Sequence, residues 1–126
     1  MVDRYGSGGT WEDVYGYSRV VVAGPLVLVA GTTATLDGAV QHVDDAYGQA
    51  RYAFRAALDA LGRAGASVDD VVRTRMYVVG SENADAVGRA HGELFGAVRP
   101  VSTLVMVASL IHPDHLVEVE VEAYRG

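Results

Sequence analysis

Glutamate occupies every second position near the end of the chain: Glu118, Glu120 and Glu122 alternate with Val117, Val119, Val121 and Ala123. Successive side chains of a strand point to opposite faces, so the three carboxylates share one face and the apolar residues the other. Such carboxylates can take up or deliver protons, hold a water, or neutralise cations. Val71 to Val79 (VVRTRMYVV) supplies the cations. It too alternates, with Arg73, Arg75 and Tyr77 on one face and Val72, Thr74, Met76 and Val78 on the other. Arg75 and Glu120, with His91 below, are therefore second-tier site candidates, the first two on a polar sheet face. That face is either solvated or, as the high apolar content favours, buried between subunits where Arg and Glu pair.

The four histidines invite a metal, but their spacing does not support one. His42 and His91 stand alone, and His112-Pro113-Asp114-His115 falls in a connection between strands. No zinc pattern appears, and no metal is expected. His91 lies on the apolar side of a helix, where a packed or interface role competes with its use as an acid or base. Fifteen glycines include no dinucleotide or phosphate-loop pattern, and no serine sits in a nucleophile elbow.

Composition removes further chemistry. All ten basic residues are Arg, and the chain has neither Lys nor Cys. A lysine Schiff base, a phosphate-loop lysine, a thiolate nucleophile and a disulfide are all excluded. Sixteen acidic residues give a net charge of −6, and the Arg residues are scattered, so a nucleic-acid partner is not expected. Met1 to Trp11 lacks the apolar run of a signal peptide, and Val20 to Ala30 is broken by Gly24-Pro25 and too short to cross a bilayer. A cytoplasmic protein without membrane contact is the expectation.

At 126 residues, 50% of them apolar, the chain has the size of a single domain, residues 1–126. Its elements must position the groups above. Arg19 to Ala23 and Leu26 to Ala30 read as a hairpin around Gly24-Pro25, and Gly31 to Leu36 and Ala39 to His42 as an extension of that sheet across Asp37-Gly38. Tyr47, Ala50, Phe54, Ala57, Leu58 and Leu61 fall at helical spacing, with Asp44 or Asp45 as cap and Gly65 as terminator. Ser81 is placed to cap a second helix through about Gly96. Val101 to Leu110 and Leu116 to Tyr124 read as the last strands. The order predicts an α+β domain whose helices cover one sheet face.

This order, with several local strings, resembles the Rid family, the reactive intermediate deaminases also called YjgF or L-PSP endoribonuclease-like proteins. The strings are Tyr17-Ser18-Arg19, where the family commonly has Tyr-Ser-Gln; Val29-Ala30-Gly31-Thr32; Ala64 to Thr74; Arg99-Pro100 before a strand; and Val117-Glu118-Val119-Glu120. The resemblance spans nearly the whole chain. It implies a chorismate-mutase-like fold of the bacillus type: a mixed sheet with two helices on one face, assembled as a homotrimer around a central β-barrel with ligand clefts between subunits. It also implies hydrolysis of imines or enamines without cofactor or metal, at a site with Glu118 placing the attacking water and Tyr17, Gly31 and Thr103 lining the pocket.

The family's carboxylate-binding Arg lies two positions after the Pro, and Ser102 stands there. Arg99, three residues away, is displaced by roughly 10 Å along a strand. Losing that charge should weaken binding of an anionic substrate by about 2–5 kcal/mol. Inefficient deamination of 2-iminopropanoate follows, and a neutral or differently anchored imine is the better expectation, with a hydrolase of deaminase type as the enzyme class. Met106 replaces an acidic residue of many relatives and makes the cleft less polar. A non-catalytic small-metabolite-binding or regulatory trimer is the alternative. Ribonuclease action conflicts with the net charge.

Overall fold

A computed structural model describes residues 1–126. The first hairpin forms where two β-branched runs flank a glycine in the left-handed region: β2 (Val20–Ala23) pairs antiparallel with β3 (Leu26–Thr32), and Gly24 turns the chain at φ +61°. β3 continues into β8 (Val117–Tyr124), β8 into β6 (Val71–Val79), and β6 pairs in parallel with β7 (Val101–Val107). With β1 (Val2–Tyr5) beyond β2, the mixed sheet runs β1-β2-β3-β8-β6-β7. Parallel pairing of β6 and β7 requires a crossover, supplied by α3 (Ala84–Phe95).

Two long helices lie on one face. In α2 (Ala46–Arg63) Asp45 caps the start by accepting a hydrogen bond from the Gly48 N–H at 2.9 Å, and Gly65 follows its end at φ +90°. Its buried side carries Ala50, Ala53, Phe54, Ala57 and Leu61. Phe54 meets Phe95 of α3 edge-on at 5.1 Å. Under the helices Val117, Val119, Val121 and Ala123 are completely buried, while Glu118, Glu120 and Glu122 occupy the uncovered face. The alternation of the sequence is thus realised. The α+β architecture with a mixed sheet and helices over one face agrees with the expectation.

Four details differ. The N-terminal segment, to which the sequence pattern assigns no element, is structured: β1 is held by pairing with β2, and a short helix, α1 (Thr10–Tyr15), follows a glycine-rich bend. Of the stretch from Gly31 to His42, only Gly31 and Thr32 belong to the main sheet, as the end of β3; the rest does not extend it. Its β4 (Thr35–Leu36) and β5 (Ala39–Val40) form a separate ribbon, because Asp37 and Gly38, both at positive φ, close a tight turn on themselves. A bulge between Val71 and Arg73 puts Val71 in the core and leaves Val72 outside, against simple alternation. Ser81 begins a single 3₁₀ turn and makes no side-chain cap; α3 starts only at Ala84.

Candidate functional site

A cleft of about 950 Å³ opens between α1, the end of β3, the β4–β5 ribbon and the 111–115 connection, and Tyr17, Gly31 and Glu118 all line it. Its floor is made by an irregularity in β3. Val29 pairs with Val121 and Thr32 with Val119, so Ala30 and Gly31 together oppose one residue of β8. The bulge turns main-chain oxygens out of the ladder. Arg19 Nη1 collects them, donating to the Gly31 carbonyl at 2.8 Å and the Ala30 carbonyl at 3.4 Å, and it also donates to the side-chain Oγ1 of Thr32 at 3.1 Å. A Cβ at position 31 would collide with the Glu118 carboxylate, so only glycine permits this close approach.

Glu118 differs from its neighbours on β8. Arg75 donates to Glu122 at 2.9 Å and lies 3.9 Å from Glu120, Arg73 lies 3.4 Å from Glu122, and the Tyr77 hydroxyl donates to Glu120. The cross-strand register explains the difference. Arg73 stands opposite Glu122 and Arg75 opposite Glu120, whereas Glu118 faces Tyr77, whose hydroxyl is turned to Glu120. Glu118 makes no hydrogen bond within the chain. Burial, reinforced by the Glu120 charge, holds its carboxyl above the usual range, against the opposing pull of Arg19. A carboxylate so placed is closer to the neutral pH at which a proton acceptor works best.

Two further groups in the cleft escape a reading from sequence. Arg19 stands where the resembling family commonly has Gln, and that departure was its only signal. Glu12, on α1, is buried 3.6 Å from Arg19 and accepts hydrogen bonds from Ser7. Although burial pushes its carboxyl upward, the Ser7 and Arg19 bonds outweigh that and hold it low. Glu12 thus remains charged and compensates Arg19. His115, buried, bonds Thr35 Oγ1 at 2.9 Å, and burial, then neighbouring His112, lowers its basicity against the pull of Asp114. Gln49, fully buried in α2, fixes the connection beside it, donating to the Asp114 carbonyl at 2.9 Å and accepting from the Leu116 N–H at 2.8 Å.

Ser102 and Thr103 do not line this cleft. Both are on β7, the outer edge of the sheet, two strands from Glu118. Thr103 is level with Arg75 on the open face, whereas Ser102 points to the helix-covered side, where its hydroxyl accepts from Thr74 at 2.8 Å. Thr74 also bonds His91 Nε2 at 2.7 Å. His91 packs against Phe54 and Phe95, 5.6 and 4.8 Å away, and burial depresses its basicity. Arg75 and Glu120 lie on the open face within the ion-pair lattice. No cluster of three or more metal-ligating side chains occurs, and no helix is long and apolar enough to cross a membrane.

β7 raises a separate point. Val101, Val105 and Met106 are exposed on a strand whose outer edge has no partner in the chain. Seven residues of open, largely apolar edge invite strand-to-strand or face-to-face association.

Known proteins resemble this chain throughout its length. The family described as endoribonuclease L-PSP matches residues 11–125. An uncharacterised protein of Streptomyces coelicolor is 47% identical over 125 residues, which is 99% of this chain and 93% of that one. The crystal structure of a member of the YjgF/YER057c/UK114 family from Mycobacterium tuberculosis is 45% identical, covers 98% of this chain and 99% of its own, and superimposes with a TM-score of 0.89. Escherichia coli TdcF, solved with bound serine, shares the fold at 22% identity, with coverage of 98% and 94% and a TM-score of 0.81.

Proposed function

Because the chain belongs to the YjgF/YER057c/UK114 family, also described as endoribonuclease L-PSP and as Rid, we propose that it hydrolyses small imines or enamines in a cleft between copies of itself. The observation that carries this reading is Glu118: alone among the three β8 glutamates it lacks an intrachain partner, and it faces the cleft at Gly31 with its basicity raised. In the reaction, water oxygen bonds to the imine carbon while Glu118 takes one water proton and the C=N electron pair moves to nitrogen. The carbinolamine then collapses. In forming it Glu118 has returned the water proton to nitrogen; in the collapse the hydroxyl oxygen forms the carbonyl as its proton passes by way of Glu118 to the nitrogen, the C–N bond breaks, and ammonia leaves. Water is the only co-reactant, and no cofactor or metal is required.

Ser102 and Thr103 reach such a cleft only from a second copy, since within one chain Ser102 is on the opposite side of the sheet from Glu118. The open apolar edge of β7 supports that assembly, and a homotrimer whose uncovered sheet faces meet in a central barrel is the form proposed. Light scattering at micromolar concentration should give about three times 13.3 kDa; a stable monomer would remove the intersubunit site. Ser102 carries no charge where the family's Arg would hold a carboxylate, so uncharged imines are the proposed substrates and 2-iminopropanoate a poor one.

The test generates neutral imines with an amine oxidase acting on alkylamines, and 2-iminopropanoate with an amino-acid oxidase acting on alanine. The expected result is faster ammonia release from the neutral imines, lost about 100-fold or more in Glu118→Gln while ligand affinity is nearly kept. Acceleration that survives Glu118→Gln, or none for any imine, overturns the proposal. A trimer that binds a metabolite without converting it is the second reading. What favours it is that Ser102 is already engaged by Thr74 and uncharged.

A further inference from the structure

Hydroxyl groups on buried strands usually end their hydrogen bonds at the main chain; Thr74 instead connects two side chains. It is completely buried on β6 between His91 of α3 and Ser102 of β7. A threonine hydroxyl has one hydrogen to give. Thr74 gives it to Ser102 Oγ at 2.8 Å, so towards His91 Nε2, at 2.7 Å, it must accept. Nε2 of His91 therefore carries the ring proton. Ser102 receives a hydrogen bond and keeps its own hydrogen, for which no group in the chain is an acceptor, and its side chain is exposed at the sheet edge.

We propose that His91 and Thr74 form a one-way hydrogen-bond relay that holds the Ser102 O–H turned outward as the donor to an acceptor oxygen of the ligand. The proposal rests on the cleft reading above for the place where the ligand meets Ser102. In this relay His91 is a positioning residue and not a catalytic one. Its ring packs against Phe54 and Phe95, and each bond in a chain of donors polarises the next. A single neutral donor selects differently from a guanidinium. It can serve a carbonyl, amide or ester oxygen, and for a carboxylate it supplies neither the countercharge nor the second bond that would offset that group's loss of water. The ligand class assigned is therefore a small uncharged molecule with a carbonyl-type oxygen beside the reacting carbon.

The relay is tested on the native assembly with pyruvamide, a neutral 2-oxo compound, as probe and pyruvate as its charged counterpart. Ring ¹⁵N spectra should show His91 with the proton on Nε2. Pyruvamide should bind at least as well as pyruvate, about fivefold more weakly in Ser102→Ala and about two- to threefold more weakly in Thr74→Val and His91→Phe. In His91→Gln, whose amide N–H can still donate to Thr74, affinity should be retained, which a merely structural role of the ring would not give. A proton on Nδ1, or binding indifferent to Ser102, overturns the relay and leaves the hydrolase reading standing. Failure of both probes to bind the wild type overturns the cleft reading and the donor role with it.

Discussion

The open face of the sheet has two ends, built from the same residue types and treated oppositely. At one end Arg73, Arg75, Tyr77, Glu120 and Glu122 form a lattice in which each carboxylate has a cation or hydroxyl within reach. At the other, Glu118, two residues along the same strand and the same face, has no hydrogen-bond or ion-pair partner, only the more distant charge of Arg19. The difference comes from β6: opposite Glu118 the cross-strand position carries Tyr77 in place of an arginine, and Tyr77 leans diagonally to Glu120. Charge compensation makes a carboxylate structural. Withholding it leaves one that burial makes basic, beside a glycine that keeps the space in front of it clear.

The largest expected effect separates the two ends directly. Glu118→Gln should lower imine turnover by about 100-fold or more, whereas Glu122→Gln should change it less than about threefold; similar losses in both would erase the distinction. Next is Gly31→Ala. The new methyl displaces the end of a flexible side chain, so the fold should tolerate it, yet turnover should drop about tenfold as Glu118 is pushed from its place, read as kcat at unchanged Tm. Arg75→Met should act in the reverse sense, leaving chemistry intact and lowering stability by about 1 kcal/mol or less, since these side chains are partly exposed. Thermal unfolding would show a fall of about 3 °C.

The smallest effect is the most specific. Glu118 holds its proton more tightly folded than unfolded, so its ionisation opposes folding at pH values above its raised pKa. Glu118→Gln should therefore be slightly more stable than the wild type at pH 7, the advantage vanishing as pH falls through the carboxylate range. Histidine gives the opposite sign. His91 is less basic folded than unfolded, so acidification below its ordinary value of 6.5 costs stability, and His91→Phe should flatten that slope in denaturant titrations between pH 7 and 5.

Much of this organisation is readable in the chain. The helical spacing of Tyr47 to Leu61 with Asp45 before it, the β2–β3 hairpin, and the alternation of β6 and β8 follow from local pattern, because each element's apolar period matches its geometry. What was missed has a common cause. β1 and α1 carry weak local signals and exist through pairing with β2 and the Ser7–Glu12–Arg19 contacts. The β4–β5 ribbon leaves the sheet because its turn closes locally, and the bulge at Val71–Arg73 breaks an alternation that the sequence shows as continuous.

By itself, the sequence determined which chemistries are absent, which family the chain resembles, and that three glutamates share a face, since these depend on residue type and on periods of 2 and 3.6. Only the tertiary structure decided which of the three stands alone, that Arg19 and Glu12 meet behind it, and that Ser102 is tied through Thr74 to His91. Those facts depend on register between strands distant in sequence, where a shift of one residue would give each group a different neighbour.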